Sequence, residues 1–501
     1  MAEAAAPKKQ KTALATVVFA AGTTLPRVLT LIFLPVYTAS LTTSEYGRLS
    51  VLLWLGVIIG MVLPLGLDLA VFRNYFKFEG EKQTQQDYVS TVWLLVAAVA
   101  PAFALVTCGV LALAVGDQQL LGDLVFTIVA YAVYAVAVPI PLTVLRAEKR
   151  LKAFIVVSVV SAFTQTTAVL VAVAVLDAGV RGWLVATLAA NLVTLVVAAV
   201  VLPFRWPRAW QWSSAKESTA LGVVFIPHFL AHWALMGGNR FVLAAVVTPA
   251  AVGVFSLASN LAVPAHTLGQ ALTQALTPNY ARAAHHPDSV QYVPKTMARQ
   301  IAIVLLGCMV IALVIPPIVH LITPAPYWGA ADLAPWLVLG YAFLGLYYVP
   351  MNLVTMVGGK ARGTWAFPVG AAVIALVLTY AVADTDNLVP SAVATSLGFG
   401  ILLVCVAIYA ARTDRSQLAG LHVPWGLASG CGAYALCVYL LGAEFTANDT
   451  LAGLLERSVI SLVALIGAVL AARRLGLLGA APTLSNTLPA VAAEGSVKSV
   501  D

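Results

Sequence analysis

Apolar runs long enough to cross about 30 Å of hydrocarbon recur along the whole chain, separated by short polar or basic joints. They lie at 13–40, 49–72, 89–115, 121–145, 153–176, 180–202, 217–238, 249–277, 298–320, 332–357, 363–383, 388–410, 422–442 and 455–472. The pattern predicts an all-α polytopic membrane protein of about fourteen spanning helices with both ends on one side. Every joint is short, the longest being 281–296, so no soluble domain is expected. The joint at 203–216 carries Trp206, Trp210 and Trp212 among basic residues, the composition of a stretch lying in the membrane interface. It divides the chain into an N-terminal lobe (1–202, six spans) and a C-terminal lobe (217–410, six spans), followed by two extra helices (411–474). The small, nearly uncharged residues 475–501 suit a disordered tail.

A weak repeat supports two facing lobes. Thr42-Thr-Ser-Glu-Tyr-Gly47-Arg-Leu-Ser50, at the entry to the second run, resembles Thr248-Pro-Ala-Ala-Val-Gly253-Val-Phe-Ser256, at the entry to the eighth. The runs end alike, at Asn74-Tyr75 and Asn279-Tyr280. Transporters commonly place their substrate between such repeats.

Composition agrees with the pattern: 61% of the 501 residues are hydrophobic and only 10% charged, too few for a soluble surface of this size. The net charge of +7 points to topology and not to nucleic acid, because the basic residues are scattered over short joints. Sorted by joint, 23 of the 28 Lys and Arg fall on one side, four on the other, and Arg27 within the membrane. By the positive-inside rule both termini are cytoplasmic. The first run is too long for a signal-peptide core, so it is expected to remain as a membrane helix. Cys108, Cys308, Cys405, Cys431 and Cys437 lie in apolar runs without metal-ligand spacing and read as packing residues.

Arg27 is the sharpest candidate for function. It sits about 15 residues from either polar end of its run, so its guanidinium lies roughly 20 Å from Lys11, beyond the reach of snorkelling. A charge at that depth needs water or a partner, which predicts a polar cavity. Asp68 is an alternative partner if Pro26 or helix tilt closes the difference in depth. In the eighth run Ser256, Asn260, Thr267, Gln270, Gln274 and Thr277 share one helical face, and in the tenth Tyr341, Tyr348, Asn352 and Thr355 do the same. Each stripe either lines a wet cavity or bonds to neighbouring helices. His228 and His232 lie one turn apart beside Pro227, Gly237 and Gly238. They read as cavity-lining or as packing histidines; no acidic residue or cysteine accompanies them to make a metal site, and no cofactor is expected.

Catalysis fits poorly. Gly358-Gly359-Lys360 lacks the spacing of a phosphate loop, and Glu45, Asp332, Asp384, Asp386 and Asp449 lie in brief joints where a glycosyltransferase or polymerase would present a sizeable outward loop.

Leu34–Gly47 (LPVYTASLTTSEYG), Arg73-Asn-Tyr-Phe76, Leu145-Arg-Ala-Glu-Lys-Arg150 with Phe154, and Asn239-Arg-Phe-Val-Leu243 with Val252-Gly-Val-Phe-Ser256 resemble the Wzx-like polysaccharide flippases. That branch belongs to the superfamily that also holds multidrug exporters and peptidoglycan-precursor flippases. The likeness covers roughly the first 285 residues and is hydropathic beyond them. One departure is Asn239, where the family usually has Asp. The resemblance implies a non-enzymatic flippase of the bacterial cytoplasmic membrane, moving an undecaprenyl-diphosphate-linked oligosaccharide to the outer leaflet, with a glycan polymerase or glycosyltransferase as candidate partners. On that implication Arg27 meets the diphosphate, the residues Asn260, Gln270, Gln274, Asn352, His228 and His232 line the route, and Arg48 and Arg240 at the lobe mouths guide the head group or anchor the interface. A multidrug or organic-cation exporter of the same superfamily and a membrane glycosyltransferase or polymerase remain as alternatives.

Overall fold

The computed structural model describes residues 28–78, 80–202, 206–224, 226–283, 289–358 and 363–413, with a few positions in 22–26 and 459–474. Among the described residues every regular element is a helix. Among the described residues ten helices are long and apolar enough to cross a membrane, and a shorter apolar one spans Ala366–Val382. The chain is a multi-pass membrane protein of all-α class. Arg27, most of the runs at 422–442 and 455–472, and the tail lie outside the described residues.

The helices are α1 (Leu34–Ser40), α2 (Thr43–Val62), α3 (Leu67–Tyr75), α4 (Lys82–Ala114), α5 (Gln118–Ala137), α6 (Pro139–Ala147), α7 (Leu151–Leu170) and α8 (Gly179–Val201). After the tryptophan-rich joint come α9 (Trp212–Val223), α10 (Ile226–Trp233), α11 (Asn239–Val246), α12 (Pro249–Ala283), α13 (Ser289–Ile322), α14 (Ala330–Asn352), α15 (Ala366–Val382) and α16 (Val389–Thr413). Wide π turns at Val171–Val175, Ala234–Gly238 and Leu353–Val357 close α7, join α10 to α11, and close α14.

Several runs that hydropathy reads as single helices are broken. The second becomes α2 and α3 because Leu65 and Gly66 adopt positive φ of 56° and 65°. Gly66 abuts Gly222 of α9, and a Cβ on either would run into the backbone opposite. The fourth run bends between α5 and α6, where Pro139 lacks the N–H that would continue the ladder. The seventh run is divided among α9, α10 and the π turn at Ala234–Gly238.

The chain forms two contact-defined units. The first comprises residues 1–261, 319–333 and 372–395, and the second 262–318, 334–371 and 396–501. In the first, Val71, Tyr88, Val96, Ala132 and Ile140 pack among α3 to α6. The Trp93 indole donates to the Val136 carbonyl at 2.8 Å and Asn191 to that of Ala130 at 3.0 Å, so polar groups within the helices find partners. In the second, Tyr280, Val293, Met297, Val349 and Leu353 are buried together. There Tyr280 donates to Gln300, and Gln300 donates in turn to Thr273.

The tryptophan-rich joint is tied down. Trp206, Trp210 and Trp212 are exposed, with Trp210 stacked on Trp212 at 5.3 Å. The buried Asp87 carboxylate of α4 accepts from the Arg208 and Ala209 amides, and the Thr91 hydroxyl accepts from that of Gln211. Outside the spans, the exposed Lys77 ammonium donates to Glu217 at 2.8 Å and holds its carboxyl below the usual carboxylate range. Asp87→Ala should free the joint at a cost of about 1–3 kcal/mol. Limited trypsin digestion after Arg208 should then accelerate severalfold; unchanged protection would show that the tryptophans alone hold it.

Candidate functional site

The two halves of the sequence repeat meet. Both helices start on a threonine cap: the Thr42 hydroxyl accepts from the Glu45 amide at 3.2 Å, and that of Thr248 from the Ala251 amide at 3.4 Å. Only the first half completes a capping box, since the Glu45 carboxylate accepts from the Thr42 amide. One turn further in, Gly47 of α2 and Gly253 of α12 let the helices touch. A Cβ on Gly47 would overlap the carbonyl of Pro249, and a Cβ on Gly253 would overlap that of Thr43. These contacts are reciprocal, because Pro249 is the repeat equivalent of Thr43. Next, the buried hydroxyls of Ser50 and Ser256 face each other at 2.7 Å.

Aromatic residues continue the crossing. Asn260 donates to the Tyr46 hydroxyl at 2.9 Å. The Tyr46 ring packs edge-on against Tyr327, whose hydroxyl donates to the Leu41 carbonyl at 2.8 Å. Gly47→Ala or Gly253→Ala should therefore destabilise the folded protein by about 1–3 kcal/mol through overpacking. Thermal unfolding in detergent reads the loss, and an unchanged midpoint would refute the close approach.

The polar stripes divide. Asn260 belongs to the crossing just described. Gln270 lies beside Tyr348 of α14, near where Gly269 and Gly345 bring the two helices close. Gln274 and Asn352 follow one turn further on the same faces. Gln274 is exposed, whereas Asn352 is buried with no partner for Nδ2 among the described residues. Gln270 and Gln274 on α12 and Asn352 on α14 thus stand as amide-bearing rungs within the second unit.

Arg240 departs from expectation. It is not at an exposed mouth but 1% exposed, donating to the Met236 carbonyl at 3.2 Å, with its guanidinium 4.9 Å from the centre of the Trp54 ring. Gly237 makes room for that ring, which a Cβ would overlap, and Trp233 donates to the Trp54 carbonyl. A desolvated cation over tryptophan is worth about 2 kcal/mol, which permits burial where snorkelling was expected. Neighbouring Asn239, also buried, donates to Thr395 at 3.2 Å. His228 and His232 both lie on α10, and His232 is half-buried. No group of three metal-ligating side chains occurs among the described residues.

Arg48, expected as a mouth residue or anchor, is one of three residues in a cluster that sequence reading missed. The buried Asp123 carboxylate of α5 accepts from Arg48 of α2 at 3.0 Å and lies 3.6 Å from Arg181 of α8. The residues are 75 and 58 positions apart, so no local spacing announces them. A signal was nevertheless present: Asp123 is an acid inside an apolar run, and such a group demands a cation.

The arrangement is that of an all-α polytopic membrane protein built on an internal helix repeat. Residues 40–328 match the family model for polysaccharide biosynthesis proteins, and the chain belongs to that family. Among solved structures it is similar to the lipid II flippase MurJ in an inward closed conformation, at 12% identity and TM-score 0.66, covering 92% of this chain and 99% of that one. A MATE multidrug resistance transporter in an inward-facing conformation matches at 11% identity and TM-score 0.64, over 80% of this chain and 98% of that one. A MOP transporter from Pyrococcus furiosus matches at 13% identity and TM-score 0.51, over 82% and 96%. No curated protein sequence matches the chain.

Proposed function

We propose that the protein is a flippase that carries a lipid-diphosphate-linked oligosaccharide from the inner to the outer leaflet for polysaccharide assembly, by alternating access. The observation that carries this reading is the family match over 40–328, which spans the reciprocal α2–α12 crossing. Close contact through glycines and one hydroxyl pair gives a seal that can part without stranding many buried polar groups. The amide-bearing rungs on α12 and α14 supply donors and acceptors suited to sugar hydroxyls, while drug cations call for aromatic and acidic surfaces.

Arg27, at mid-bilayer by sequence, is the residue proposed to meet the diphosphate through a charge-assisted contact. Loss of the gene should leave lipid-linked oligosaccharide on the cytoplasmic leaflet and remove a surface glycan, with drug resistance unchanged. Normal display of the glycan together with new sensitivity to cationic drugs would install the exporter reading instead. In proteoliposomes, Arg27→Ala should lower transport per folded molecule by about one to three orders of magnitude, with Arg27→Lys intermediate because it keeps the charge but loses the planar fork. The charge asymmetry places Ser44 and Asp384 outside and Lys149 inside. Cysteines at the first two positions, in a background without native cysteines, should react with an impermeant maleimide in intact cells, and one at Lys149 should not.

A further inference from the structure

One ionisable side chain of the second unit has no part in the transport reading so far. His266 is the central residue of α12 (Pro249–Ala283), which puts it roughly 25 Å from either end of the helix. It is 4% exposed. Its ring packs on that of Tyr341 of α14 at 5.7 Å, and Tyr341 packs in turn on Phe399 of α16 at 5.8 Å. A Cβ on Gly269 would come within 2.8 Å of the Gly345 Cα, and one on Gly307 of α13 would overlap Leu268. These close contacts among α12, α13 and α14 seal the ring from solvent. Gln270 and Gln274 follow at steps of one turn on the same face, so the imidazole continues the amide-bearing rungs into the helix centre.

The spans around His266 carry no other side chain that ordinarily ionises near neutral pH. Residues 262–281, 300–318, 334–357 and 396–411 of this unit contain no Asp, Glu, Lys or Arg, and His266 is the one histidine in them. The remaining titratable groups there are Tyr280 on α12, Cys308 on α13, Tyr341, Tyr347 and Tyr348 on α14, and Cys405 and Tyr409 on α16. These are phenols and thiols, classes that ordinarily hold their protons at neutral pH. An imidazole tolerates such a place when neutral. An imidazolium there would have lost its water with no carboxylate of these spans to replace it, which is strongly unfavourable. Proton uptake and close packing of α12 on α14 therefore oppose one another. By the reciprocity of linked equilibria, whatever brings water to the ring favours the proton, and the proton favours the arrangement that brings water to the ring. Pro264, just before His266, has no N–H to give the helix ladder, so this is a level at which α12 yields readily.

We propose that His266 is a proton-operated switch of the second unit, neutral while α12 and α14 are packed and protonated when they part and water enters along the rungs. Acidification through the ordinary histidine range, about pH 8 to 5, shifts the unit towards the parted arrangement, and above that range the shift is absent. The inference rests on the alternating-access part of the flippase reading and adds to it the ion that biases the change.

The test uses the full chain in nanodiscs with Cys308 as its only cysteine. Cys308 is 3% exposed and lies one turn beyond Val304, which meets Gly345, so its alkylation by N-ethylmaleimide reports the parting of these helices. Rates across about pH 5 to 8 are divided by those of His266→Gln with the same cysteine, which cancels the ionisation of the thiol itself. The ratio should rise on acidification by about three- to tenfold, within the limit of about tenfold per pH unit for one proton. His266→Asn should give the same result and takes the place of His266→Gln if that protein does not accumulate. A ratio flat with pH would overturn the proposal. In proteoliposomes, transport of a short-chain polyprenyl diphosphate disaccharide should respond to an imposed pH gradient with His266 present and not with His266→Gln. If alkylation follows pH as expected but neither protein transports the probe, the switch stands and the flippase reading fails. If the probe is transported and its pH response survives His266→Gln, the switch fails and the flippase reading stands.

Discussion

Oxidation of a Ser50→Cys/Ser256→Cys variant, in a chain whose five native cysteines are replaced, should stop transport reversibly. The two hydroxyl oxygens lie 2.7 Å apart, and a disulfide requires its sulfurs at about 2.05 Å. Little motion is needed to form the bond, whereas parting α2 from α12 would have to break it. Alternating access requires the repeat halves to separate at one end of the cycle, so the cross-linked protein should lose transport by at least about tenfold and recover with reductant. Either single cysteine should transport normally under oxidant. Full transport by a quantitatively cross-linked protein would mean that the crossing is a fixed hinge and that access alternates elsewhere.

The alternation of apolar runs and basic joints carried most of the fold, because burial in lipid leaves each segment one option, a helix with its own hydrogen bonds. The helices at 82–114, 179–201 and 389–413 fall close to the runs that hydropathy marks. What hydropathy could not convey is where a helix breaks without ceasing to be apolar. Leu65-Gly66 looks like any small apolar step until Gly222 is packed against it, and the π turn at Ala234–Gly238 is invisible to a period of 3.6.

The repeat shows the reverse case. Thr, Gly and Ser at matched spacing were legible, and they are the residues that cap, approach and pair across α2 and α12. Stripe position puts Gln270 on α12 and Asn352 on α14. It could not separate Asn260, which spends its amide on Tyr46, because facing a neighbouring helix and facing a cavity follow the same periodicity. Arg240 and Asp123 were misplaced or missed for one reason: a charge within an apolar run is explained by its partner, and Trp54, Arg48 and Arg181 are all distant in sequence.

Removing both arginines of the Asp123 cluster should be far more damaging than removing the aspartate. Asp123 is 2% exposed, whereas Arg48 and Arg181 are 36% and 52% exposed. Without the carboxylate, either guanidinium can turn to water, so Asp123→Asn should cost little beyond one lost charge-assisted contact, about 1–3 kcal/mol. Without Arg48 alone or Arg181 alone, the other still neutralises Asp123. Losing both strands a buried carboxylate in a low-dielectric helix interface, a situation worth about 3–5 kcal/mol of destabilisation. Arg48→Met with Arg181→Met should therefore lower the unfolding midpoint by more than the two single changes together, the signature of a shared partner. Adding Asp123→Asn to that pair should recover most of the loss, since an amide needs no counter-charge. Thermal unfolding of the six proteins in one detergent decides the matter. If the double variant equals the sum of the singles and Asn brings no recovery, Asp123 is solvated in the folded protein and the two arginines serve it only as surface neighbours.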